Sequence, residues 1–431
     1  MKDTGANPHQ NHRERLRSRF LRAGLDEFAP HNVLELLLFY PIPRRDTNPT
    51  AHALLDRFRT VSEALSASGE ALSTVAGVGE GVARFFSSLK ALTERALYHP
   101  SPAPRFGDAD LLGRYFCRLL DTGATERAAI LFLDNDFRIV GRKLLDGVSV
   151  HSPRFSPAAI AEEALLRHAP SCALAHFHAD GLALPVAEDL ALTRELRNTL
   201  DAAGIRLVEH FLVGGGRYTT LLYRYSGTVA ADSELPDLGT AYTGEDIAVL
   251  AAFLASAHAG ANAAWLLDSY GGLYPLLSAS PARHHYEGLD ARLAALLTLP
   301  FAVYTYCRRE EAVPALGEER LLRYLCDLFR AESEETVLLL LFDRAGRHLA
   351  THTVGKGSVG EAAVSSRRVA EGALFSGATQ AVLVHNHPSG AVAASEADRR
   401  ATDIIREALG GLGLSLVCHF IVAGDDISSV L

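Results

Sequence analysis

Two histidines two positions apart, a tight turn and a serine–aspartate pair make His385-Asn386-His387-Pro388-Ser389-Gly390, followed by Ser395-Glu396-Ala397-Asp398, the stretch best equipped for chemistry. If His385 and His387 continue a strand, both imidazoles point to one face. Pro388, Ser389 and Gly390 turn the chain. Ser395 suits a helix N-cap and Asp398 then lies in the first helical turn. A strand end and a helix start can thus converge on one point. Two imidazoles and a carboxylate leave a fourth tetrahedral position for water, as in a catalytic Zn2+ site. Such an ion acidifies the water and polarises a scissile carbonyl. Ser395-x-x-Asp398 also has the spacing of a capping box, which needs no metal.

The elements that must position these residues occur twice. Asp134, His176, His178, Asp189 and His210 recur 209 residues later as Asp343, His385, His387, Asp398 and His419, and Cys117 recurs as Cys326. Upstream, Ala53 to Phe58 resembles Trp265 to Tyr270, and Leu65 to Ser68 repeats as Leu277 to Ser280, both at an offset of 212. This is too long for a solenoid period and indicates duplication of a two-part unit. Apolar runs predict strands at Arg127–Leu133, Thr336–Phe342, Cys172–Ala175 and Gln380–Val384. Closing strands follow at Ile205–Val213 and Leu414–Val422. Helical periodicity covers Ser156–His168, Ala363–Phe375, Asp189–Ala203 and Glu396–Leu409, with Gly204 and Gly410-Gly411 placed to stop the last two. The fold class is α/β, with each α/β domain preceded by a small helical module. Expected boundaries are 1–100 (helical), 105–228 (α/β), 236–305 (helical) and 310–431 (α/β with the metal motif). The linkers are expected at His99–Arg105, Ser226–Leu238 and Arg308–Glu318. The two copies are expected to pair within one chain.

The chain has 431 residues, 48% hydrophobic and 22% charged, which excludes wholesale disorder and allows several domains with real cores. No apolar run approaches the roughly 18 residues of a membrane span, so no membrane partner is expected. The polar, basic start lacks a signal-peptide core. The five cysteines are scattered and without a CxxC pair, as expected for reduced thiols in a cytoplasmic protein. A net charge of −9, from 42 basic and 51 acidic residues, excludes a general nucleic-acid coat. Arg13, Arg15, Arg17, Arg19 and Arg22 form a local basic cluster that reads as a solvated helix face.

Residues 385–398 resemble throughout the motif of the RadC family, His-x-His-Pro-Ser-Gly then Ser-x-x-Asp. His12-Arg13-Glu14-Arg15-Leu16, Leu36 to Tyr40 and Pro43 to Thr47 resemble the RadC N-terminus. The resemblance implies two JAB/MPN (JAMM) domains of cytidine deaminase-like fold, metallopeptidase-type hydrolysis of an amide or isopeptide bond, and a peptide or protein substrate. It implies zinc at His385, His387 and Asp398, with Ser395 stabilising the oxyanion. JAMM enzymes also use an upstream glutamate as general base. Counted from Asp343 and back from Gly357, that slot holds His352. A histidine can take a proton near neutral pH, or His352 is a plain strand residue in a binding-only scaffold serving DNA repair or partner assembly. In the first copy, His176, His178 and Asp189 keep the ligand spacing and could hold a residual metal. Val186 replaces the serine there, and the base slot falls on Lys143 or Arg142, which stay protonated. His210 and His419 lie within apolar strands and read as core residues.

Gly77-Val78-Gly79 resembles the hairpin of a helix-hairpin-helix module, where backbone amides could bind a DNA phosphate. It reads more readily as a helix–helix turn that needs Gly for packing. In the second copy Asp290 stands where the second glycine should be, so that module is expected only to pack.

Overall fold

The computed structural model describes residues 12–99, 106–120, 126–147, 149–150, 152, 155–178, 180–223, 226–228, 242–357, 366–374, 376–388 and 390–430. Most of the first expected linker, most of the second, the start of the helix expected at 363–375, and Ser389 lie outside the described residues.

Strands are numbered along the chain as β1 (Arg127–Leu133), β2 (Ile139–Asp146), β3 (Ser171–Phe177), β4 (Arg206–Gly214), β5 (Arg217–Thr220) and β6 (Ser226–Thr228), then β7 (Thr336–Phe342), β8 (His348–Lys356), β9 (Gln380–Asn386), β10 (Ser415–Ala423) and β11 (Asp426–Ser429). They form one sheet in the order β2-β1-β3-β4-β5-β6 and a second in the order β8-β7-β9-β10-β11. β3/β4 and β9/β10 are the parallel pairs, and the other neighbours run antiparallel. The fold is the expected mixed α/β, built twice.

The central strands are apolar throughout because both faces are covered. In β7, Val337, Leu339 and Leu341 enter one core, with Val369 and Ile405 from the helices Ser366–Leu374 and Glu396–Gly411. Leu338, Leu340 and Phe342 enter the opposite core with Leu325 and Phe329 of the helix Arg320–Phe329. β1 divides its side chains in the same way between two cores.

Some elements depart from expectation. The hairpin partners β2 and β8 carry mixed polar faces and give no continuous apolar run. The helix Ala291–Glu310 runs into the expected third linker, and Leu316 beyond it is pinned to Gly346 by a 2.8 Å backbone bond. The helix expected to stop at Gly410-Gly411 continues through Gly411. The left-handed residue that ends it is Gly413, at φ +78°.

The chain divides into two compact units, 1–87 with 299–431, and 88–298. The first helical segment therefore goes with the C-terminal sheet, and the second with the N-terminal sheet. Within the first unit, Arg309 bonds Asp26 (2.5 Å) and Glu332 (3.3 Å), and Tyr306 donates to the Phe28 carbonyl (3.2 Å). Within the second, the buried Arg167 bonds Glu163 (2.6 Å), Glu287 (3.0 Å) and the Ser269 carbonyl (3.1 Å), while Lys143 bonds Glu163 (2.5 Å).

Duplication of the helical segments shows in their caps. Ser68 and Ser280 both sit at φ −66°, ψ 154° and accept from the amide three residues on. Asp290 likewise caps its helix, accepting from Leu293 N at 2.8 Å. His284 is buried with Nδ1 2.7 Å from the Tyr270 hydroxyl, and burial, then Arg283, pushes it down to about 4. Its unfolded value lies near 6.5. The unfolded chain therefore takes up the proton first as pH falls, and the stability present above 6.5 is lost toward pH 4, on the order of 3 kcal/mol. The melting temperature is expected to fall across that window and His284→Phe to flatten the fall; an equally steep fall in the variant contradicts this.

Candidate metal centre

β9 ends at Asn386, so His385 is its penultimate residue and His387 follows it, held by a 2.8 Å bond from its amide to the Val422 carbonyl of β10. The helix Glu396–Gly411 begins beside them. Ser395 is its N-cap, accepting from Asp398 N at 3.1 Å. Asp398 Oδ2 accepts from Ser395 N (2.7 Å) and Ser395 Oγ (2.7 Å). The capping box and the convergence of side chains are thus one arrangement: the cap aims the carboxylate at the strand end.

His385 Nε2 lies 3.2 Å from Asp398 Oδ1 and 2.9 Å from His387 Nε2, and His387 Nε2 lies 3.7 Å from Asp398 Oδ2. Tetrahedral zinc with ligands near 2.0–2.1 Å separates its donors by about 3.3 Å, so these spacings fit an ion of that size.

Hydrogen bonding fixes which nitrogens carry protons. A carbonyl only accepts. Thr402 Oγ1 must therefore donate to the Asp398 carbonyl (2.5 Å) and accept from His419 Nδ1 (2.7 Å). His419 Nε2 then accepts from His385 Nδ1 at 2.8 Å. His387 Nδ1 likewise donates to the Ala391 carbonyl at 2.6 Å. Both Nε2 lone pairs consequently face each other beside a carboxylate, a repulsion that a metal ion between them, or a proton on one ring, relieves. Burial, then His419, pushes His385 down to about 3, and burial pushes His419 down to about 4, so both are neutral at pH 7. Burial works to raise Asp398, but the Ser395 bonds and the imidazoles hold it below the ordinary carboxylate value.

His419 is thus not the plain core residue its apolar strand suggested, and His210 repeats its role in the first copy. Orienting partners of this kind typically change metal affinity 10–100-fold when removed. Thr402→Val, which keeps shape and loses the hydroxyl, is expected to weaken zinc binding by about that factor in a chelator competition; unchanged affinity contradicts the relay.

A fourth donor joins the group. Glu335, the residue before β7, places Oε1 3.9 Å from His385 Nε2, and the donor atoms of Glu335, His385, His387 and Asp398 all lie within 4.8 Å of one another. The slot count had pointed to His352. That residue lies on β8 opposite Leu339, its ring so close to Gly372 that a Cβ there would meet Cδ2 at 2.8 Å. His352 is not in the group. Counting downstream from Asp343 follows the hairpin away from the site, whereas the chain meets it just before β7. The repeat held the missed signal, since Glu126 stands 209 residues before Glu335.

In the first copy His176, His178 and Asp189 converge in the same way. His176 Nε2 is 3.1 Å from Asp189 Oδ1 and 2.9 Å from His178 Nε2, and the chain His176–His210–Thr193 repeats the relay at 2.9 and 2.7 Å. Its bond to Asp189 raises His178. Only Val186 N (2.8 Å) stands where Ser395 supplies both amide and hydroxyl. Lys143 is tied to Glu163, and Glu126 is exposed and outside the group.

The other motif residues lie outside the metal group. Gly77 has φ +85° and no room for a Cβ, which would lie 2.5 Å from Thr50 Oγ1, while Val78 is buried. Gly79 has open space around it and precedes a helix that starts with Glu80. In the basic cluster, Arg13 is committed to the carbonyls of Phe39, Ile42 and Arg45, and Arg19 to that of Glu27.

The mixed sheet thus carries two histidines at a strand end and an aspartate in the first turn of the next helix. The RadC-like JAB domain family matches residues 107–226 and 316–431, more than half of the chain, and the protein belongs to that family. It is 29% identical over 228 residues to a UPF0758 protein of Fusobacterium nucleatum, covering 96% of that protein and 50% of this chain. It is 32% identical over 204 residues to a UPF0758 protein of Rhodobacter capsulatus, covering 95% of it and 47% of this chain. A UPF0758 protein of Ruegeria pomeroyi is 32% identical over 207 residues, covered to 92% by 48% of this chain. Half of this chain thus matches nearly the whole of each relative, as duplication requires. Among the described residues, no helix is long and apolar enough to cross a membrane.

Proposed function

We propose that the second copy is a metal-dependent amide hydrolase acting on a peptide or isopeptide bond. The observation that carries this reading is the convergence of two imidazole lone pairs with the carboxylates of Asp398 and Glu335. His385, His387 and Asp398 would hold a zinc ion; bound there, zinc acidifies water and polarises a carbonyl. Glu335 takes a proton from the attacking water and returns it to the leaving nitrogen as the C–N bond breaks. Ser395 turns its hydroxyl proton from Asp398 to the developing oxyanion, while its amide continues to hold the carboxylate.

The first copy holds an ion by the same three residue types without turnover. Val186 has no hydroxyl to donate, and Glu126, the counterpart of Glu335, is exposed and outside the metal group. Zinc-loaded and chelator-stripped protein should be compared on a mixed peptide and isopeptide library. Cleavage restored by zinc supports the proposal; no cleavage by protein carrying stoichiometric zinc contradicts it.

A further inference from the structure

The residue between the two histidine ligands points to the opposite face of β9 from them. Asn386 is buried there, and its side chain does work a backbone ladder would otherwise do. Its Oδ1 accepts from Thr336 N at 2.8 Å, and its Nδ2 donates to the carbonyls of Glu334 (3.1 Å) and Glu332 (3.4 Å). One amide therefore grips the backbone on both sides of Glu335. The paired register of β7 with β9 ends at Val337 opposite His385, and Asn386 takes over at the next position.

The first copy supplies an internal comparison. Phe177 stands in place of Asn386, with no amide to offer. Paired register there continues one step further, to Arg127 opposite Phe177. Glu126 keeps the equivalent backbone place, its carbonyl accepting from Gly147 N at 3.1 Å as that of Glu335 accepts from Gly357 N at 2.8 Å. Its side chain is nevertheless exposed and outside the metal group. Both copies have the glutamate; the copy with the amide clamp has it at the site.

We propose that Asn386 is the positioning residue for Glu335, turning the chain before β7 so that this carboxylate faces the metal ligands, and that its replacement by Phe177 separates a turnover copy from a holding copy. This rests on the reading of Glu335 as the base. The Asn386 side chain bonds the backbone before β7, on the face of β9 away from the two histidines, so its loss should leave metal retention intact while displacing the base.

The test uses the full chain carrying His178→Ala, so that the C-terminal site alone is read, loaded with Co2+. The Asn386→Ala, Glu335→Gln and doubly substituted proteins are expected to retain one cobalt. In all three the pH midpoint of the cobalt spectrum is expected to shift equally, with kcat about 10–100-fold lower for Asn386→Ala, as for other positioning partners. A spectrum and pH midpoint unchanged in Asn386→Ala but displaced in Glu335→Gln overturns the positioning role. If Glu335→Gln also leaves the midpoint unchanged, the reading of Glu335 as base fails and the proposal with it. Should Asn386→Ala not fold, Asn386→Ser decides by the same comparison, an intermediate midpoint supporting the clamp and a wild-type one overturning it.

Discussion

Glu335→Gln is expected to lower turnover by about 10²–10⁴-fold, the usual contribution of a positioned general base, with zinc content unchanged. Glutamine keeps the size of the side chain and cannot take the proton. Metal retention should survive because the two imidazoles and Asp398 are held independently, by the Thr402–His419 relay, the Ala391 carbonyl and the Ser395 cap. His352→Gln separates this assignment from the slot count. With its ring against Gly372 on β8, His352 should change turnover less than tenfold, an effect about 10-fold or more below that of a general base. Stopped kinetics in His352→Gln with normal kinetics in Glu335→Gln would reverse the assignment.

His385→Ala is expected to abolish metal binding in the second copy, and turnover with it. His385 is buried, and its Nε2 lies between Asp398 Oδ1 at 3.2 Å and His387 Nε2 at 2.9 Å. Its loss also leaves the His419 Nε2 without a donor. Metal analysis should read two equivalents in the wild type, one in His385→Ala and one in His176→Ala. Only His385→Ala should lose hydrolysis. Loss of hydrolysis in both variants would show that the first copy takes part in the chemistry.

Much of the site was legible because its ligands are local. His385, His387, Ser395 and Asp398 span one strand end and one helix start, and a turn and a cap are written in nearby residues. What was not legible depends on distance along the chain. Glu335 reaches the site through the pairing of β7 with β9, which no count from Asp343 reports. His419 was hidden by its own surroundings, since a histidine in an apolar strand looks the same whether it fills space or orients a ligand. The hairpin glycine Gly77 showed the converse, a motif residue whose need is the approach of Thr50. The exchange of helical segments between the two compact units was also invisible. The pairs that tie each helical segment within its unit, such as Asp26 with Arg309 and Glu287 with Arg167, join residues far apart along the chain.

The most direct test of the central claim is a crystal structure of the zinc-loaded protein with diffraction recorded at the zinc edge. The account predicts an anomalous peak about 2.0–2.2 Å from His385 Nε2, His387 Nε2 and an Asp398 oxygen, with the Glu335 carboxylate beside the remaining position. Density showing these side chains with no peak among them, in crystals grown with excess zinc, would contradict it.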